Sequence, residues 1–188
     1  MIGNSYMTKS ASKTDSYSKT DSACKTDSAS KTERSHKEAS STLVPPKKLM
    51  LIGRSGSGKT TLLQSLNNQI IEYQKTQAMQ FSHSAIDTPG EYLENPRLYS
   101  ALINVSYDAD VIALVQCADN PHNIFAPQFA TAFNKRVIGI ITKADVITKQ
   151  EAHLITQQLI DAGASIVLST SAYNNTGIIQ LRQFLNWE

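Results

Sequence analysis

Hydrophobic residues in this chain of 188 gather into short blocks beyond residue 47, and the blocks are of two kinds. Residues 48–52 (KLMLI), 111–116 (VIALVQ) and 137–141 (VIGII) are apolar runs of strand length, the pattern of strands covered on both faces. Residues 81–86, ending at Asp87, and 165–168 complete the expected strands. Between them the apolar spacing becomes helical: Leu62, Leu63 and Leu66 share one face of 61–68, and 178–187 reads as an amphipathic helix. Asn95 and Pro96 predict the cap and first turn of a helix 95–107, and Thr148 predicts the cap of one running to about 162. A further helix is expected from about 123 or 127 to 133. This alternation predicts one α/β domain over 47–188, in three αβα layers, with a mostly parallel sheet of about five strands.

The first 46 residues carry no such pattern. From Ser10 the chain repeats SASKTD, SYSKTD, SACKTD and SASKTE, then a decayed RSHKEA, a period that suits neither helix nor strand. The units are nearly all polar, so nothing offsets the entropy of ordering, and 1–46 is expected to be a disordered hexapeptide-repeat tail. It is either a plain spacer or a tether that docks the domain on a larger assembly. Residues 1–47 carry a net +3 and the remainder a net −1, so the basic pI belongs mainly to the tail. A near-neutral domain offers no electrostatic footprint for DNA or RNA. No apolar run reaches the roughly 18 residues of a membrane span, and the N-terminus lacks the apolar centre of a secretory signal, so a cytoplasmic protein is expected. Cys24 and Cys117 make no disulfide framework, and His36, His83, His122 and His153 have no ligand spacing.

The run Gly53-Arg54-Ser55-Gly56-Ser57-Gly58-Lys59-Thr60 fits G-x-x-x-x-G-K-[ST] at every position, after an expected strand and before an expected helix. A triphosphate must approach bare backbone N–H groups, so the residues around it must be small, as Gly53, Ser55, Gly56, Ser57 and Gly58 are. Lys59 would reach the β- and γ-phosphates and the Thr60 hydroxyl would ligate Mg²⁺, with Thr61 in the helix behind.

Three more stations follow. Asp87-Thr88-Pro89-Gly90 is D-x-x-G at a strand end: the acid can hold Mg²⁺ through a water and Gly90 can offer its N–H to the γ-phosphate, although such a tetrapeptide can also be a simple turn. Thr142-Lys143-Ala144-Asp145 is [NT]-K-x-D. Guanine presents N1–H and its 2-amino group on one edge; the single carboxylate of Asp145 can accept both, with the stem of Lys143 across the base. Ser171 and Ala172 follow the last strand, where a backbone N–H could meet guanine O6. Gly53, Asp87, Thr142 and Ser169 therefore bring four strand ends to one site at the carboxyl edge of the sheet.

With these stations in order the chain resembles the small GTPase-like branch of P-loop NTPases. Lys75-Thr76-Gln77-Ala78, Ile86-Asp87-Thr88-Pro89-Gly90-Glu91-Tyr92 and Asn95-Pro96-Arg97-Leu98-Tyr99-Ser100-Ala101-Leu102 look more closely like the EutP/PduV family of bacterial ethanolamine and propanediol utilisation. The resemblance spans about 47–188 and leaves out the tail. It implies work beside a bacterial microcompartment, with its shell or pathway enzymes as partners through residues 1–46. It also makes Thr76 the threonine expected on Mg²⁺ when the γ-phosphate is present. Glu91 stands where many GTPases carry the glutamine that orients the attacking water; the γ-phosphate would repel a carboxylate there, but it could act as a base if its pKa rose. Lys59, Thr76 and Glu91 are thus the candidate catalytic set, and Arg54 and Arg97 are the local arginines. The short stretch before Asp87 implies a compact switch region with one strand missing.

Two functions stay open. The first is a GTP-binding protein with slow Mg²⁺-dependent hydrolysis, whose nucleotide state alters a partner surface. The second is a phosphotransferase that hands the γ-phosphoryl of GTP or ATP to a small carboxylate such as acetate. A docking module that binds nucleotide without turnover is a third.

Overall fold

The computed structural model describes residues 44–120 and 122–187; the repeats of the expected tail lie outside the described residues. Strands β1 (Leu49–Ile52), β2 (Gln80–Phe81), β3 (Ala85–Asp87), β4 (Val111–Cys117), β5 (Arg136–Thr142) and β6 (Val167–Ser169) form one sheet in the order β2-β3-β1-β4-β5-β6. Every neighbouring pair is parallel except β2 with β3. The α-helices are α1 (Lys59–Leu66), α2 (Glu91–Glu94), α3 (Tyr99–Ser106), α4 (Lys149–Asp161) and α5 (Ile178–Leu185).

β1 shows why the strand runs are unbroken. Leu49 and Leu51 enter one core with Leu62 and Leu66 of α1 and Leu181 and Leu185 of α5. Met50 and Ile52 enter the other with Leu102 of α3 and Ile155 and Leu159 of α4. Successive side chains point to opposite faces, so a sheet covered on both sides needs an apolar residue at every position. Each fully buried Leu or Ile contributes about 1.5–3 kcal/mol of transfer free energy.

The sheet has six strands, not five. The expected strand 81–86 is split by a tight turn in which Ser82 Oγ donates to Ala85 O (3.0 Å) and accepts from Ala85 N (2.9 Å). Phe81 thus falls in β2, an edge stub whose two residues are both exposed. The helix expected to end at 133 is only a 3-10 turn, Phe129–Ala132, because Gln128 sits at φ 61 in the left-handed region and breaks any helical run into it. Aromatic packing fills the space instead: the Phe129 ring lies 5.6 Å from Phe125, 5.5 Å from Phe133 and 5.7 Å from Tyr99. The helix expected over 95–107 opens as a 3-10 turn, Pro96–Leu98, with Asn95 Oδ1 accepting from Arg97 N, and continues as α3. Thr148 caps α4 in a reciprocal box with Glu151.

β1 lies between β3 and β4, so the chain leaves it toward one side of the sheet and later returns to the other. A crevice opens at such a reversal, outside the carboxyl ends of the strands. The glycine-rich loop leaves β1 at that crevice.

Candidate functional site

Residues 53–58 bridge β1 and α1, and threonines from two other motifs hold this loop and the strand before it. Thr142 Oγ1 donates to Ser57 O (2.6 Å) and Thr88 Oγ1 donates to Leu51 O (2.7 Å). Two loop N–H groups are already used, Ser57 on Arg54 O (3.1 Å) and Ser55 on Glu94 Oε1 (3.1 Å). Those of Gly56, Gly58, Lys59 and Thr60 have no acceptor among the described residues. They form an anion cradle at the start of α1. Lys59, only 5% exposed, donates from Nζ to Gly53 O (2.8 Å) and Arg54 O (2.9 Å), which leaves one of its three N–H groups for a ligand. Burial pushes its ammonium below the ordinary lysine range, and Asp87, Glu91 and Glu94 pull it back upward.

Beside Lys59, Thr60 Oγ1 lies 2.6 Å from Asp87 Oδ2 and 2.8 Å from Thr76 Oγ1, and Thr76 Oγ1 lies 3.0 Å from the same Oδ2. Three oxygen contacts are thus served by two hydroxyl protons, and Asp87 Oδ1 is buried without a partner. A small divalent cation would satisfy both deficits. The 2.8 Å edge between the hydroxyls suits adjacent ligands of an octahedron with bonds of about 2.0–2.1 Å, so the residues present fit Mg²⁺. Among the described residues no cluster of three His, Cys, Asp or Glu could hold a metal, so the remaining ligands would be water and phosphate oxygens. Thr76→Ala is expected to raise the Mg²⁺ concentration needed for half-maximal GTP binding by about tenfold, near 1.4 kcal/mol. A magnesium titration that overlays the parent curve would remove Thr76 from the metal site.

The turn after Asp87 is pressed onto the loop. A Cβ on Gly90 would fall 2.0 Å from Ser55 N and 2.4 Å from Ser55 Cα, so no side chain fits there without moving backbone. Gly90→Ala is expected to lower the urea midpoint by the equivalent of about 1–3 kcal/mol; an unchanged midpoint would mean that the two segments separate freely. Glu94 then lies 3.6 Å from Arg54 Nε, while Glu91 Oε1 lies 2.9 Å from Lys75 Nζ. The hydrogen bond from Lys75 holds the Glu91 carboxyl below the usual carboxylate range. That direction is opposite to the rise considered from sequence: Glu91 stays ionised, and its Oε2 is buried with no partner.

Two adjoining cavities meet along the loop. One of about 180 Å³ is lined by Ser55, Lys59, Thr60, Thr76 and Gly90, the other of about 240 Å³ by Leu62, Thr142, Asp145, Ser171 and Ala172. Gly58, Thr61 and Lys143 border both. Lys143 adopts φ 55 and sends Nζ to Asp119 Oδ2 at 2.6 Å, and this contact raises the lysine and lowers the aspartate from their ordinary ranges. Asp145 is exposed on the 3-10 turn Ala144–Val146 and has no partner among the described residues. Ser171 N–H is taken by Thr176 O (2.9 Å), so Ala172 supplies the available N–H at this corner. Five expected residues line neither cavity: Gly53 lies beneath the loop against the Val115 carbonyl, Arg54 and Ser57 face a separate cavity with Gln116 and His122, Asp87 is buried behind Thr60 and Thr76, and Glu91 is engaged by Lys75. Asp119 is not among the site residues expected from sequence; its signal is an acid just past the end of a strand adjoining the Lys143 strand.

Among the described residues no helix is long and apolar enough to cross a membrane. The solved structure of a bacterial selenocysteine-specific elongation factor shares the fold at a TM-score of 0.55 and 20% identity, over 74% of this chain and 28% of that one. The propanediol utilization protein PduV of Citrobacter freundii is 49% identical over 140 residues, 74% of this chain and 93% of that protein. A probable acetate kinase, EutP of Salmonella typhimurium strain LT2, is 39% identical over 102 residues, 53% of this chain and 64% of that protein. The family model for ethanolamine utilisation and propanediol utilisation matches residues 46–187, almost the whole of the described fold. The chain therefore belongs to the EutP/PduV family.

Proposed function

We propose that the chain is a Mg²⁺-dependent GTP-binding protein with slow hydrolysis, acting in ethanolamine or propanediol utilisation. The observation that carries this reading is the common wall of Gly58, Thr61 and Lys143 between the two cavities. One nucleotide can lay its phosphates against Lys59 and Thr60 while its base meets Asp145 and the Ala172 N–H. Thr60, Thr76 and Asp87 would hold Mg²⁺, which supplies charge neutralisation on the phosphate oxygens. Lys59 adds its remaining N–H and its charge, and the loop amides replace water around the anion. The oxygen of the attacking water bonds the γ-phosphorus and a proton passes from that water to a γ-phosphate oxygen, because the Lys75 contact holds Glu91 below the ordinary carboxylate range and so makes it a weak base. The bond from that phosphorus to the bridging oxygen breaks with its electron pair on the diphosphate. Arg54 is engaged by Glu94, in keeping with a slow reaction that lacks an arginine at the transferred group.

A second reading, transfer to a carboxylate, draws on the relatives named as probable acetate kinases. Incubation with GTP or ATP, Mg²⁺ and acetate, with free phosphate and acyl phosphate both measured, separates the two. Hydrolysis of GTP that is indifferent to acetate is expected; acyl phosphate formed faster than free phosphate would replace the hydrolytic reading with the transferase. Residues 1–46 are proposed as a tether to a microcompartment: deleting them should change localisation and leave GTP affinity alone, and an affinity loss would defeat the idea.

A further inference from the structure

We propose that Tyr173 is a base-stacking residue: its ring settles on the face of the nucleotide base in the cavity of Leu62, Asp145 and Ala172, and supplies a wall that the fold leaves open. This rests on the nucleotide-binding reading above and adds a residue to it.

Four observations converge. Tyr173 lines the same cavity as Lys143 and Asp145, and it directly follows Ala172, whose N–H is the available donor at that corner. It is 91% exposed, and its side chain makes no hydrogen bond or ring contact among the described residues, so it contributes little to the core. Phe125, Phe129 and Phe133, by contrast, pack against one another. The turn that carries Tyr173 is nevertheless fixed: Ser171 and Thr176 form an antiparallel bridge, and Asn174 Oδ1 accepts from Thr176 N (3.2 Å) and Thr176 Oγ1 (2.7 Å). A well-held turn thus brings an unpacked aromatic ring to the edge of a cavity. The walls it joins include Leu62, Val146 and Ala172, whereas Lys59, Thr60 and Lys75 line the neighbouring phosphate cavity. Apolar walls suit the face of a purine, and an aromatic ring covers that face whatever groups its edge carries. Tyrosine reaches its ring through two rotatable bonds, so little entropy is lost when it settles. Asp145 then selects the base by its edge, and Tyr173 adds affinity that any purine shares.

The test uses the full chain with Tyr173→Ala, Tyr173→Leu, Tyr173→Phe and Tyr173→Trp. Equilibrium affinities for GDP, GTPγS and inorganic tripolyphosphate are measured for each, beside a melting curve without ligand. Tyr173→Ala should weaken GDP and GTPγS alike by about tenfold. Tripolyphosphate, which has no base, should stay within about threefold of the parent, and the melting curve should not move. Phenylalanine should keep the parental affinities; leucine should recover only part of the loss, because it covers the base without stacking. In Tyr173→Trp the emission should change as GDP saturates, against the background of Trp187, which is tied to Lys47 O (2.8 Å) at the other end of β1. GDP bound by Tyr173→Ala as by the parent, leucine as effective as phenylalanine, tripolyphosphate weakened as much as GDP, or an unmoved emission would each overturn the inference while leaving the nucleotide reading intact. A parent chain that binds tripolyphosphate as tightly as GTPγS would instead defeat the reading of a base site, and the inference with it.

Discussion

Lys59→Ala is expected to abolish triphosphate binding at micromolar concentrations while the domain stays folded. The loop offers N–H dipoles from Gly56, Gly58 and Thr60, but Lys59 is its buried full charge. Its ammonium is already partly stripped of water, so an arriving phosphate oxygen meets a donor with little hydration left to lose. A charge-assisted hydrogen bond of this kind is worth about 1.5–3 kcal/mol, and the truncation also removes attraction to the other phosphate oxygens. The combined loss should exceed a hundredfold in affinity, about 3 kcal/mol. Folding is affected differently. The Gly53 and Arg54 carbonyls lose their donor, but a desolvated cation disappears with it, so the two changes partly cancel. Titration with a fluorescent GTP analogue, alongside a melting curve without nucleotide, reads both quantities. Binding within about threefold of the parent would show that the loop does not cradle phosphate.

What could be read from sequence divides along a physical line. Gly53 to Thr60 and Thr142 to Asp145 are contiguous runs in which chemistry restricts each position, and the buried strands announce themselves because both faces are covered. The resemblance to a family supplied Thr76, and the structure sets it in contact with Thr60 and Asp87. Features made by contact between distant segments had no such signature. Thr142 was read as part of the nucleotide site, yet its hydroxyl is spent on Ser57 O, a contact between residues 85 positions apart. Asp119 and Lys143 are 24 positions apart, and nothing local marks them as partners. β2 escaped because two exposed residues show no alternation, and the 3-10 turn at Phe129–Ala132 escaped because the left-handed Gln128 is not a residue type that announces a break. Helix α2 is a single turn, too short for periodicity, although it carries the two carboxylates that engage Lys75 and Arg54.

Asp145→Asn should shift base preference from guanine to xanthine. The carboxylate can accept from both N1–H and the 2-amino group, whereas an amide keeps one acceptor and turns a donor toward the second position. Against guanine that donor meets another donor, and a charged hydrogen bond is lost at the same time. The expected cost is about 2–3 kcal/mol, or roughly a hundredfold weaker GTP binding. Xanthine carries a carbonyl at that position, so xanthosine triphosphate should become the better ligand. The fold gives no reason for collateral damage: Asp145 is exposed, and its turn is held by the left-handed Lys143 and by the Ala144 N–H on Thr170 O (3.1 Å). Adenine lacks the paired donors altogether, so ATP affinity should not respond to the change. Competition among GTP, ATP and xanthosine triphosphate on the parent and the variant therefore bears directly on the working nucleotide. Unchanged GTP affinity would remove Asp145 as the reader of the base, and tight ATP binding indifferent to the substitution would move the reaction toward the phosphotransferase.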